Sequence, residues 1–174
     1  MNNRRSFITG IKSTSLSKKE KNFLKKYKPW GIILFSRNIE SLKQTKKLTD
    51  QIKTLFNDYN YPILIDQEGG RVNRLGKLFN STPLTSEFFG TLYHNDKKKF
   101  YRYYEIFIKQ TSLLLKSIGV NINTLPVLDL RSKNSSSIIS DRSFSQDPKI
   151  VSNIGDICID IFHSNKIGTV MKHI

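Results

Sequence analysis

The segment Ile63-Leu-Ile-Asp66-Gln-Glu68-Gly-Gly-Arg71-Val-Asn-Arg74-Leu75 runs a short apolar stretch into two acids, a glycine pair and two arginines. Carboxylates accept hydrogen bonds and arginines donate them, so this set of residue types can hold a ligand rich in hydroxyl groups. Cations beside Asp66 keep such a carboxyl ionised at neutral pH. An apolar run that stops at an acid describes a buried strand whose carboxyl end opens onto a polar site. Gly69 and Gly70 allow a backbone turn that a side chain would obstruct, and Arg71 and Arg74 are expected beside Asp66 and Glu68. Alone, the pattern reads as a solvated turn after an ordinary strand. Two later segments change that reading: Asn123-Thr-Leu-Pro126-Val-Leu-Asp129-Leu130 with Asp141-Arg142-Ser-Phe144-Ser-Gln-Asp147-Pro148, and then Gly168-Thr-Val-Met-Lys172-His173-Ile174.

The elements that carry these groups alternate between strand and helix. A first strand is expected at 7–11, and Ser17 with Glu20 forms a Ser-x-x-Glu capping box that opens a helix to about residue 28. The run at 31–35 is a fully buried strand type, and a helix over roughly 40–57 places Leu48, Ile52, Leu55 and Phe56 on one face. A strand at 62–65 leads into a long polar excursion that reaches about residue 96. A helix over about 97–118 follows, with Phe100, Tyr104, Phe107 and Leu114 near helical spacing and Gly119 at its end. The fourth strand is expected at about 120–127 and the fifth at 168–171. Between them, Asp147 and Pro148 start a helix striped by Ile150, Ile154, Ile157 and Ile161. This alternation means an α/β fold with a parallel sheet and helical crossovers. Periodicity does not separate a doubly wound sheet from a (β/α)8 barrel, and there is no Gly-x-Gly-x-x-Gly or Walker loop to favour a nucleotide fold.

Taken in order and at these separations, the three segments resemble the catalytic barrel of family 3 glycoside hydrolases, and within it the bacterial β-N-acetylhexosaminidase branch that acts in peptidoglycan recycling. The resemblance runs from Phe7 to the last residue. It implies a (β/α)8 TIM barrel, incomplete, of which residues 1–174 supply about the first five of eight units as the N-terminal part of one domain. The implied activity is retaining hydrolysis of terminal β-linked N-acetylglucosamine from glycans such as peptidoglycan fragments. Asp66, Arg74, Arg142, Lys172 and His173 match the family's sugar-binding positions. In that family the Lys-His pair runs on into a Pro-Gly-His-Gly loop, an Asp-Ser-His segment with the catalytic His, and later the Asp nucleophile. This sequence stops at Ile174, so no residue of it takes either catalytic role; truncation is the expectation, and the chain as given is expected to be inactive alone. Asp129 reads as a loop-organising acid. Glu68 has the type of a general acid, but the family pattern gives it no such role. Arg131, in the loop after the fourth strand and outside the sugar-binding set, is expected to tolerate replacement. Two further readings stay open on these residues: a β-glucosidase fragment of the same family, and a sugar-binding remnant without catalysis.

Composition narrows the remaining classes. The chain has 174 residues, 37% hydrophobic and 11% aromatic, enough for a core. Its net charge of +15 invites a nucleic-acid reading. The lysines are spread over several expected helices, however, and no recognised binding motif accompanies them, so no specific nucleic-acid partner is expected. Residues 1–6 carry charge but no apolar run follows them, and no stretch is apolar for about 18 residues. A cytoplasmic protein without membrane contact is therefore expected, with its oligomeric state open. Cys158 is the single cysteine and falls on the apolar stripe of a helix, where an inert buried thiol is expected. No metal-ligand spacing is present, and neither a metal nor another cofactor is expected.

Overall fold

The computed structural model describes residues 4–131 and 137–173; residues 1–3, read above for a secretion signal, and Ile174 lie outside the described residues. Its elements are β1 (Arg5–Gly10), α1 (Lys18–Tyr27), β2 (Pro29–Leu34), α2 (Leu42–Phe56) and β3 (Ile63–Ile65), then α3 (Ser86–Asn95), α4 (Lys97–Ser117), β4 (Ile122–Asn123), α5 (Pro148–Ser164) and β5 (Gly168–Thr169). Single 3-10 turns lie at Ser36–Asn38 and Ser140–Arg142. Each helix begins where a side chain can satisfy a free backbone N–H. Ser17 Oγ accepts from Glu20 N at 3.2 Å while Glu20 accepts in return from Ser17 N at 2.9 Å, completing the expected capping box. Asp147 accepts from Lys149 N at 2.8 Å, with Pro148 in the first turn of α5.

The sheet is parallel throughout, and its strand order is β1-β2-β3-β4-β5. A doubly wound sheet reverses its order of addition at a switch point. Here each new strand is laid on the same side as the last, which is the progression of a barrel, and this resolves the choice that periodicity left open. The apolar faces of the helices join the strands in one core that includes Leu48, Ile52, Phe100, Tyr104, Phe107, Ile154 and Phe162 with Ile32, Leu34, Ile63 and Ile65. Burying each such side chain contributes about 1.5–3 kcal/mol. Cys158 is fully buried in this core, where desolvation pushes its thiol up to about 12, so it stays protonated and unreactive.

β1 begins two residues before the expected 7–11 and β5 pairs only at Gly168 and Thr169 of the expected 168–171, while two elements differ more. The polar excursion after β3 contains a helix, α3, capped by Thr85 and burying Phe89 and Tyr93. Gly90, a residue that lowers helix propensity, obscures it. A Cβ at Gly90 would meet the backbone carbonyl oxygen of Phe144, so the glycine is required by the approach of the loop after β4. β4 itself has ladder pairing only at Ile122 and Asn123, whereas 120–127 was expected. Pro126 has no N–H to continue the ladder, and the chain beyond it pairs irregularly through Val127 and Lys172.

Two tests follow. Gly90→Ala forces its methyl group into the Phe144 backbone, and should lower thermal stability by more than any single exposed-surface substitution; unchanged melting would refute the close approach. In addition, β1 and β5 are the edges of the described sheet, and open parallel edges favour association. Residues 1–174 expressed alone should therefore sediment as aggregates or melt without cooperativity. A monomer with a sharp melt would show that the five strands are self-sufficient.

Candidate functional site

The polar groups gather at the carboxyl ends of the strands, the end of a parallel barrel where ligands bind. Asp66 follows β3 directly, and Thr124 follows β4 in the same position one strand over, its N–H donating to Ile65 O at 2.9 Å. Lys172 lies beyond β5, held by its own N–H to Pro126 O at 3.1 Å and by Leu128 N to its carbonyl at 2.6 Å. The three side chains converge. Asp66 Oδ1 accepts from Thr124 Oγ1 at 2.9 Å and from Lys172 Nζ, while Oδ2 accepts from Arg74 Nη2 at 3.1 Å. Burial pushes the Asp66 carboxyl up, but the hydrogen bond and charge of Lys172, with Thr124 and Arg74, outweigh it and hold the pKa below the usual carboxylate range. Asp66 is thus an ionised acceptor at neutral pH.

Arg74 reaches Asp66 because the intervening loop is built around Gln67. The backbone N–H of Gln67 donates to Asn123 Oδ1 at 3.0 Å, and Asn123 Nδ2 returns a bond to Gln67 O at 2.9 Å. Its side chain donates to Ser81 Oγ and Asn73 Oδ1 and accepts from Leu75 N at 2.9 Å, fixing the turn on which Arg74 sits. Gly69, at φ +90°, closes the turn where a Cβ would strike Leu84 O. Gln67 is fully buried and serves as the scaffold of this turn. Arg74 Nε is buried and has no hydrogen-bond partner among the described residues.

Arg142 arrives on the 3-10 turn after β4 and meets Glu68. Its Nε and Nη2 donate to the two carboxylate oxygens, each at 2.8 Å, and Lys172 Nζ lies 2.7 Å from Glu68 Oε1. The Glu68 bond raises the Arg142 pKa further, so its charge is permanent. Breaking a pair this buried costs about 3–5 kcal/mol, because one charge is left unpaired. Asp141, next to Arg142 in the chain, pairs with Arg71 at 3.0 Å. Arg71 therefore ties down the loop at 137–139 through that acid and the carbonyls of Ser137 and Ile138, and does not stand beside Asp66 or Glu68 as expected.

His173 is half-exposed, with Nδ1 2.7 Å from Asp129 Oδ2. A carboxylate only accepts, so Nδ1 carries the proton in this contact and Nε2 is the nitrogen left to a ligand. Asp129 thus orients His173 as well as its own loop, a role the sequence did not reveal. Arg131, outside the sugar-binding set, pairs with Glu87 on α3 through Nη1 and donates to Ser143 O at 2.9 Å, so it links the loop after β4 to a helix. Thr124 is the other residue that sequence reasoning passed over; its signal was a hydroxyl placed just after a strand, in register with Asp66. Among the described residues no group of His, Cys, Asp or Glu gathers as a metal site.

Comparison with known proteins follows this geometry. Residues 7–174 match the model of the glycosyl hydrolase family 3 N terminal domain. Curated relatives named beta-hexosaminidase include those of Xanthomonas campestris pv. campestris, 30% identical over 167 residues, and Hydrogenovibrio crunogenus, 33% identical over 167 residues. The match takes in 95% of this chain in both cases, and 49% and 46% of those proteins, so the chain spans about half the length of the curated relatives it matches. The crystal structure of native NagZ from Neisseria gonorrhoeae superposes with a TM-score of 0.88 at 27% identity, covering 98% of this chain and 49% of that one. NagZ from the same organism in complex with N-trifluoroacetyl-D-glucosamine gives the same score and identity, over 98% and 50%.

The depressed Asp66 pKa makes a prediction with a definite sign. A group whose pKa is lower folded than unfolded stabilises in full above its unfolded value, about 3.9 for Asp, and loses that contribution as pH falls through the folded value. In the whole protein carrying this sequence, urea midpoints should decline as pH falls below about 4, and Asp66→Asn should flatten that acid limb. Parallel limbs in the two proteins would show that Asp66 is not held by these cations.

Proposed function

The chain belongs to glycosyl hydrolase family 3, matching its N-terminal domain, and from that premise we propose that it forms the sugar-binding part of a β-N-acetylhexosaminidase. The observation that carries the reading is the convergence of Asp66, Arg74 and Lys172, with Arg142 close by through Glu68, at the carboxyl ends of β3 to β5. An ionised carboxylate flanked by cationic donors is the chemistry that reads a pattern of hydroxyls. In the proposed complex Asp66 accepts from adjacent sugar hydroxyls. Arg74, Arg142 and Lys172 donate to the remaining oxygens of an N-acetylglucosamine unit, and His173 Nε2 accepts from one of its hydroxyls. The names of the curated relatives and the glucosamine-derived ligand of the gonococcal NagZ complex support this assignment.

The reaction is hydrolysis of a terminal β-linked N-acetylglucosamine with retention, which requires a nucleophile and an acid/base. Neither role is assigned to a residue of this chain. Fragments of peptidoglycan are the proposed source of the sugar and the cytoplasm the proposed compartment. No helix among the described residues is long and apolar enough to cross a membrane.

Hydrolysis of a chromogenic β-N-acetylglucosaminide by the whole protein carrying this sequence, compared with the matching β-glucoside, tests the proposal. The expected outcome is turnover of the first at about 1–1,000 per second and little of the second. Asp66→Ala and Lys172→Ala should each lose roughly ten- to a hundredfold in kcat/KM, the value of a charged hydrogen bond of about 1.5–3 kcal/mol. Lys47→Ala, on the exposed face of α2, should change nothing. Preference for the β-glucoside would move the protein to the other branch. Binding of N-acetylglucosamine without turnover of either substrate would favour a non-catalytic sugar-binding remnant.

A further inference from the structure

Glu68 lies outside the set of residues matched to sugar binding, yet its side chain is only 2% exposed. Its oxygens are all engaged. Oε2 accepts from Arg142 Nε and Oε1 from Arg142 Nη2, both at 2.8 Å, and Oε1 also lies 2.7 Å from Lys172 Nζ. A general acid needs a protonated oxygen turned toward the substrate, and neither oxygen of Glu68 is free for that role. A sugar hydroxyl has no approach to it either.

Its contacts have a directional consequence. Guanidinium donors form a rigid fork. Glu68 takes the Nε–Nη2 edge, and Nη1 makes a long 3.4 Å bond to Ile138 O among the described residues. Without Glu68, the long side chain of Arg142 would have many rotamers and no fixed edge to present. Lys172 is likewise shared between Asp66 and Glu68, so it is held between the acids and does not collapse onto Asp66 alone. Residues from three strand ends are thereby set relative to one another by one carboxylate.

We propose that Glu68 is the positioning residue of this site: its carboxylate fixes Arg142 and Lys172 as donors without itself touching the ligand. The proposal rests on the sugar-binding reading of those two cations. Its first test does not depend on that reading. In the 15N-labelled whole protein, the Nε–H resonance of Arg142, identified by its loss in Arg142→Lys, should exchange slowly with water, and should become exchange-broadened in Glu68→Gln. A rapidly exchanging Arg142 Nε–H in the wild type would overturn the proposal whatever the enzyme's activity.

Kinetics supply the second test. Glu68→Gln, assayed below its melt, should reduce kcat/KM roughly ten- to a hundredfold, mainly through KM, and should also lower the melting temperature, because the buried cations lose their anion. Glu68→Asp should recover part of the loss, and serves in its place where Glu68→Gln does not fold. If Glu68 acts through Arg142, the double variant Glu68→Gln with Arg142→Ala should lose less than the product of the two separate losses. Losses that multiply to within about twofold, or wild-type kinetics in Glu68→Gln, would overturn the positioning role. An absence of both turnover and N-acetylglucosamine binding in the wild type would instead sink the sugar reading, with the Arg142 resonance still showing whether Glu68 holds its cation.

Discussion

Glu68 is buried and Asp66, two positions before it, partly so, and the cations that neutralise them come from distant parts of the chain. Lys172 lies beyond β5, Arg142 in the loop after β4 and Arg74 in the loop after β3. Removing a carboxylate from water costs several kcal/mol unless partners of opposite charge replace the solvent. The acids therefore cannot be buried before the strands that deliver their partners have been laid down in order. The polar end of the sheet is in this sense a single electrostatic unit, and the loops beyond β3, β4 and β5 are placed by it.

The division of labour within that unit is clear from accessibility. Asp66 is partly exposed and contacted by three different donors, so its oxygens can exchange protein partners for ligand hydroxyls. Glu68 is closed off by a bidentate arginine and cannot. Gln67, between them, is committed to the scaffold, bonding to the side chains of Asn123, Ser81 and Asn73 and to the backbone N–H of Leu75. Three consecutive polar residues thus do three different jobs, because a chain leaving a strand turns successive side chains in different directions.

Outside the site the structure is conventional α/β construction. Capping side chains start the helices, apolar stripes bury against the strands, and much of the excess of lysine lies on outward helix faces. The less regular features sit where the site requires them. Gly90 lets α3 come down onto the loop that carries Arg142, Arg131 anchors the same loop to Glu87, and the ladder of β4 gives way at Pro126 before Lys172 is pinned by Leu128 and Pro126. Each of these departures supports a loop whose side chains form the polar cluster.

The sequence by itself determined the alternation of elements, the capping of α1 and α5, the burial of Cys158 and the gathering of Asp66, Arg74 and Lys172, because these depend on local periodicity, on cap chemistry, or on segments whose order resembles a known family. It did not reveal α3, whose helical spacing is masked by a glycine needed only because Phe144 packs against it. Nor did it reveal that Arg71 would turn away to Asp141, that Arg131 would be a structural anchor, or that Glu68, Thr124 and Asp129 would hold the other groups in place. Those facts are pairings between residues far apart in the chain, and a charge chooses its partner only when the fold has decided which opposite charge is within reach and how much water remains between them. The order of the strands, which separates a barrel from a doubly wound sheet, was legible only through the family resemblance: periodicity specifies what each segment becomes, and tertiary packing decides which segment lies beside it.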